Sequence, residues 1–174
     1  MSKARRISKF GKLSTEAMKN AVRLHVDSIL LFNNKSFPSA FSLAVLALEE
    51  ISKSDWIDHY VETSETNNGL PEPDGDEEQK FVMYLNIHTK KQAIFVNQQY
   101  SEIAPSFYEY VQANKLEYKK QKSNYVGLER VKGKVNTKSK ISLPTQTKER
   151  DAKKIISLNN DVIIAQCKRN NQNG

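Results

Sequence analysis

The chain has 174 residues, of which 38% are hydrophobic and 27% charged, with a formal net charge of +7. That length favours one domain with extensions over two full-sized domains, and the modest apolar share predicts a globular part smaller than the chain. A single cysteine, Cys167, excludes an intrachain disulfide framework and a multi-cysteine zinc site. No apolar run reaches the roughly 20 residues that span a bilayer, and the first residues lack a secretory h-region, so a cytoplasmic chain without a membrane partner is expected.

The charge is unevenly placed. Residues 1–12 hold five basic side chains and no acid, residues 62–78 hold seven acids and no base, and residues 115–154 hold thirteen bases against four acids. The last stretch suits nucleic acid or an acidic protein surface, or is simply a solvated basic segment.

Residues 1–13, MSKARRISKFGKL, lack periodicity and read as a basic N-terminal arm. Ser14 or Thr15 then caps a first helix to about Phe32, with Ala17, Ala21, Leu24, Ile29 and Leu31 among its apolar positions. Pro38 fits the first turn of a second helix that runs to about Val61 and should pack antiparallel to the first.

The second helix carries the run SAFSLAVLALEEISKSDW. At roughly 100° per residue, Phe41, Ala44, Val45, Leu48 and Ile51 form one stripe, and Leu43, Leu46, Ala47 and Ile57 cover most of the remaining circumference. Glu49 and Glu50 interrupt it and cannot share one face. A lone buried carboxylate costs several kcal/mol, so each needs a partner. Lys53 follows Glu49 by four residues, which predicts a Glu49–Lys53 pair and leaves Glu50 to find its partner elsewhere.

Residues 62–75, ETSETNNGLPEPDG, read as a long acidic loop. A third helix begins near Asp76, with Phe81, Tyr84, Leu85, Gln92, Phe95 and Val96 on one stripe and His88 at its centre. A fourth runs from about Glu102 or Pro105 to Lys120. Residues 121–147 form an irregular basic crossing or short hairpin. Thr147 caps a last helix to about Cys167, in which Asn159 and Asn160 are expected to weaken the middle. Residues 168–174 are a polar tail. The pattern is an all-α bundle of four to five helices, a single domain over residues 14–167.

His88 has two readings. It is a core histidine satisfied by one hydrogen bond, or, with Lys91 and Gln92, it faces Glu49, Glu50 and Lys53 across the bundle and completes a polar cluster. A carboxylate and an imidazole suffice for acid–base chemistry, and Lys53 or Lys91 would then be available to a phosphate. No His-Glu pair recurs at ligand spacing on two helices, no glycine loop for phosphate is present, and no metal or cofactor is expected. Lys119, Lys120 and Lys122, with Tyr125 and Arg130 beyond them, are candidates for nucleic-acid or partner binding, although a lysine-rich helix end also gains from the macrodipole alone.

The run Ala44 to Lys53, AVLALEEISK, resembles the Leu-Ala-x-Leu-Ala-x-Glu-Glu-Ile-Gly-Lys signature of the AbiV family of bacterial abortive-infection proteins, with Ser52 in place of glycine. Asn20-Ala21, His88 with Lys91, and Tyr125-Val126 agree in order. The resemblance implies a HEPN-like bundle, homodimerisation, and an antiphage effector that blocks phage multiplication through RNA or translation, with a phage-encoded protein as activator or target; a toxin held inactive by an activator or antitoxin fits the same fold. The ribonuclease signature of HEPN proteins, arginine followed four to six residues later by histidine, is absent, because Arg23 and His25 are too close. A ribonuclease of the usual kind is therefore in doubt. The alternative is a non-catalytic module that engages a phage protein or structured RNA.

Overall fold

A computed structural model describes residues 3–66, 75–96, 102–128, 130–131 and 134–172. Among these are seven α-helices: α1 (Lys3–Asn33), α2 (Phe37–Thr66), α3 (Asp76–Tyr84), α4 (His88–Phe95), α5 (Pro105–Gln112), α6 (Lys115–Asn124) and α7 (Glu149–Gln172). The protein is all-α. Among the described residues the extended structure is a two-residue ladder, β1 (Arg130–Val131) against β2 (Lys134–Val135), with an isolated antiparallel bridge between Gly127 and Ser142.

The helix count exceeds four to five because the third and fourth predicted helices each break once. The first break falls at Leu85–Ile87, where Asn86 Nδ2 donates to the carbonyl of Val82 and Ile87 is extended at φ −97°, ψ 114°. The second break is at Ala113–Asn114, where Asn114 takes φ 55°, a left-handed conformation that asparagine tolerates better than most residues.

The chain groups into two compact units, Met1–Ala21 with Leu48–Asn114, and Val22–Ala47 with Lys115–Gly174. In the first unit, α1 starts at Lys3 rather than at Ser14. Residues 3–13 are therefore helix, not an irregular arm, because two of them have inward partners. The Phe10 ring sits edge-on to Tyr60 and to Phe81, each at 5.6 Å, and Tyr60 stacks on Phe81 at 3.9 Å. Ile57 and Leu85 complete that core, with Trp56 and Val61 packed against it. Arg6 Nη2 reaches Glu78 Oε1 at 2.6 Å in a buried ion pair. Ser14 does not cap; its hydroxyl lies buried 2.9 Å from that of Ser54. The helix α2 also continues to Thr66, so it takes in the first residues of the expected acidic loop, most of which lies outside the described residues.

In the second unit, Leu24, Ala40, Phe41, Ala44, Val45, Leu116, Ala152 and Ile155 are buried. Asn159 does not weaken α7. Its fully buried side chain donates from Nδ2 to the carbonyl of Ala44 at 2.7 Å, and α7 continues without interruption to Gln172. Thr147 likewise turns inward, 2.8 Å from the Ser123 hydroxyl, while Asp151 Oδ2 accepts from the Lys148 N–H and closes the first turn of α7.

Candidate functional site

Glu49 is 1% exposed and lies at the centre of the first unit's polar cluster. Its Oε2 is 2.5 Å from His88 Nδ1, its Oε1 accepts from Gln92 Nε2 at 2.7 Å, and Lys91 Nζ stands 3.8 Å from Oε2. All three partners come from α4. Positions 88, 91 and 92 are related as i, i+3 and i+4, so one turn of helix presents them on a single face. The break at Leu85–Ile87 makes His88 the first residue of α4. The carboxylate thereby meets the N-terminal turn, where the helix dipole favours negative charge.

The ion pairing of the two glutamates is the reverse of the sequence expectation. Lys53 Nζ lies 2.6 Å from Glu50 Oε1, at i, i+3, and Asn20 Nδ2 donates to Glu50 Oε2 at 3.3 Å. Glu49 is the residue that engages α4. Both i, i+3 and i, i+4 spacings allow a pair, and the burial of Glu49 against His88 and Gln92 leaves Lys53 with the more accessible carboxylate. Asn20 and Gln92 are partners that carry no signal on their own. Asn20 stands out in sequence beside Ala21 in the family-like pattern, and Gln92 by its apolar-stripe phase.

His88 is not enclosed. Its side chain is 53% exposed, Nδ1 faces Glu49, and Nε2 has no hydrogen-bond partner among the described residues. With Glu49 ionised, Nδ1 carries the proton and donates it, which leaves Nε2 as the basic, outward nitrogen. A buried carboxylate that fixes one imidazole tautomer, with the other nitrogen open, is the arrangement a general base requires. Lys91 is buried and Lys53 is partly buried and paired, so His88 is the accessible member of the five predicted residues.

In the second unit the basic candidates divide. Lys119 Nζ lies 2.6 Å from Asp151 Oδ1 and over the Phe41 ring. Burial alone would raise the Asp151 pKa, but the Lys119 hydrogen bond, the Lys148 N–H and the charges of Lys119 and Arg150 outweigh it and hold the carboxyl below its ordinary value. Lys120 is buried and pairs with Glu117 at 2.7 Å. Lys122 stacks its ammonium 4.2 Å from the Tyr118 ring centroid, Tyr125 is 70% exposed, and Arg130 lies in β1. His25 is buried, and that burial pushes its pKa down, with the Asn160 side chain opposing it in part.

The all-α architecture fits a HEPN-like protein. The family model HEPN_AbiV, described as AbiV, matches residues 10–164, and the chain belongs to the AbiV family. Membership points to abortive-infection defence. Nothing among curated proteins or among solved structures matches the chain. No helix among the described residues is long and apolar enough to cross a membrane.

Proposed function

We propose that this protein is an abortive-infection effector that blocks phage multiplication by acting on RNA in the cytoplasm, with His88 as the reacting group. The observation that carries the reading is the half-exposed imidazole whose Nδ1 is held by a buried carboxylate. In RNA cleavage, His88 Nε2 takes the proton from a ribose 2′-hydroxyl, the 2′-oxygen attacks the adjacent phosphorus, the bond to the 5′-oxygen breaks, and water protonates that oxygen. Glu49 keeps the imidazole in the correct tautomer and stabilises its protonated form. A homodimer fits the exposed stripe Val22, Val26 and Leu30, spaced at i, i+4 and i+8 on α1. A phage-encoded protein is the activator or target in this scheme.

The test is to purify His88→Ala and Glu49→Gln, confirm helicity by circular dichroism, and assay labelled RNA and phage plaque formation. His88→Ala should lose RNA cleavage and protection. Glu49→Gln should lose much of both by freeing the imidazole to change tautomer. A folded His88→Ala protein that protects as well as the parent overturns the reading.

The exposed Tyr125, and a Lys122 that forms no ion pair among the described residues, favour one second reading, a non-catalytic module that binds a phage protein or RNA through the end of α6. It predicts that Tyr125→Ala and Lys122→Ala abolish protection while His88→Ala does not.

A further inference from the structure

Between the end of α6 and the start of α7 the second unit forms an open pocket of about 310 Å³, whose lining includes Lys122, Asn136, Ser139, Lys140, Ser142 and Gln146. That volume is near the lower end of the roughly 300–1,000 Å³ typical of small-ligand sites. The described lining residues include no carboxylate. Lys122 and Lys140 form no ion pair with any described residue, whereas the neighbouring Lys119 and Lys120 are each neutralised by an acid.

The neutral groups of this lining are also arranged as donors. Asn136 Oδ1 accepts from the Lys138 N–H at 3.1 Å, and Gln146 Oε1 faces the Leu143 N–H at 3.5 Å, so each amide spends its acceptor on backbone and keeps its NH2 group. Ser142 is 7% exposed, and its hydroxyl is buried with no hydrogen-bond partner among the described residues. A buried polar group of this kind requires an explanation. Its backbone is fixed on both sides, since the Ser142 N–H donates to Gly127 O at 2.7 Å and the Gly127 N–H donates to Ser142 O at 3.1 Å. The hydroxyl is thus held in place while its hydrogen-bonding capacity is unused.

Two ammonium groups, two amide NH2 groups and a hydroxyl, with no acid among the described lining residues, match a ligand of charge −2 whose oxygens are acceptors only. We propose that this pocket binds a phosphate monoester or inorganic phosphate dianion. The inference does not rest on the chemistry assigned to His88. Lys122, fixed against Tyr118, and the exposed Lys140 supply the charge, and Ser142 and the amides supply directed donors.

The test is calorimetric titration of the full chain at low salt with inorganic phosphate, with adenosine monophosphate and with acetate. Phosphate should bind and acetate should not. Lys122→Ala and Lys140→Gln should each weaken binding roughly tenfold or more, as expected for a lost charge-assisted hydrogen bond. Ser142→Ala should weaken it several-fold with helicity unchanged. Because Lys140 is exposed and forms no ion pair among the described residues, Lys140→Gln keeps the test decisive even if another variant misfolds. His88→Ala should bind phosphate as the parent does. Adenosine monophosphate binding tighter than inorganic phosphate identifies a nucleotide as the source, and equal binding identifies the free ion. Absence of binding by either, equal binding of acetate, or affinity unchanged in both lysine variants overturns the proposal.

Discussion

Glu49 in the first unit and Asn159 in the second are both buried polar side chains that reach from one helix to another, yet their surroundings differ. Asn159 is enclosed, neutral, and donates to one backbone carbonyl, that of Ala44. Glu49 carries charge, collects Gln92 and Lys91, and is linked through His88 to solvent. A buried asparagine aimed at a carbonyl fixes how two helices pack. A buried carboxylate aimed at an exposed imidazole sets the state of a group that other molecules can reach. Burial of a polar residue therefore does not mark function by itself, and the distinguishing feature is whether its partner opens outward.

The largest expected effect sharpens that contrast. Glu49→Ala removes the buried carboxylate shared by His88, Gln92 and Lys91, which should cost about 3–5 kcal/mol in chemical denaturation. Arg6→Ala, which takes the guanidinium from the buried Glu78 carboxylate, belongs to the same class and should fall in the same range. Asn159→Ala should cost less, about 1–3 kcal/mol, because it forfeits one neutral hydrogen bond and the packing around it. If Asn159→Ala proved as costly as Glu49→Ala, or removed phage protection while the protein stayed folded, the contrast between a structural tie and a site would collapse.

The sequence carries the helices and the meeting of two of them, but not the atomic pairing. Apolar phase places Glu49 or Glu50 toward packed neighbours and puts Lys91 and Gln92 with His88, and the structure brings these three to one carboxylate. Which glutamate would do so was not legible, because Lys53 is within reach of both and tertiary burial decides. The extension of α1 to Lys3 was not legible either. Phe10 and Arg6 lack local periodicity and gain their meaning from Phe81 and Glu78, more than 70 residues away. The break before His88 was hidden for the opposite reason: the apolar stripe runs through it, and a single extended residue, Ile87, re-aims the helix without disturbing the pattern. Asn159 misled because helix propensity describes an isolated helix, and a buried tertiary hydrogen bond overrides it.

A smaller effect, in the second unit, is pH dependence at His25. Burial lowers its folded pKa below the ordinary 6.5, so in the window between the two values the unfolded chain binds a proton that the folded chain does not. Stability therefore rises with pH across that window, is fully present above the unfolded value, and is lost as pH falls toward the folded one. Urea midpoints measured between about pH 7.5 and 5 should fall for the parent, and His25→Leu should flatten this dependence. A parent profile that is flat, or a His25→Leu profile with the same slope, would show that the buried imidazole is not the responsible group.

The smallest expected change in stability is at His88, and it separates the two kinds of buried polar residue most cleanly. Half of the side chain is already in water, so His88→Ala removes little packing. Glu49 keeps the Gln92 amide donor and the Lys91 ammonium, so the carboxylate is not abandoned. The denaturation midpoint should move by no more than about 0.5–1 kcal/mol equivalent. Loss of protection at so small a change in stability would assign the cluster to the exposed imidazole, with Glu49 as the residue that positions it. A loss of several kcal/mol would instead make His88 a structural partner of Glu49, as Ala44 is of Asn159, and the two units would then hold the same kind of tie.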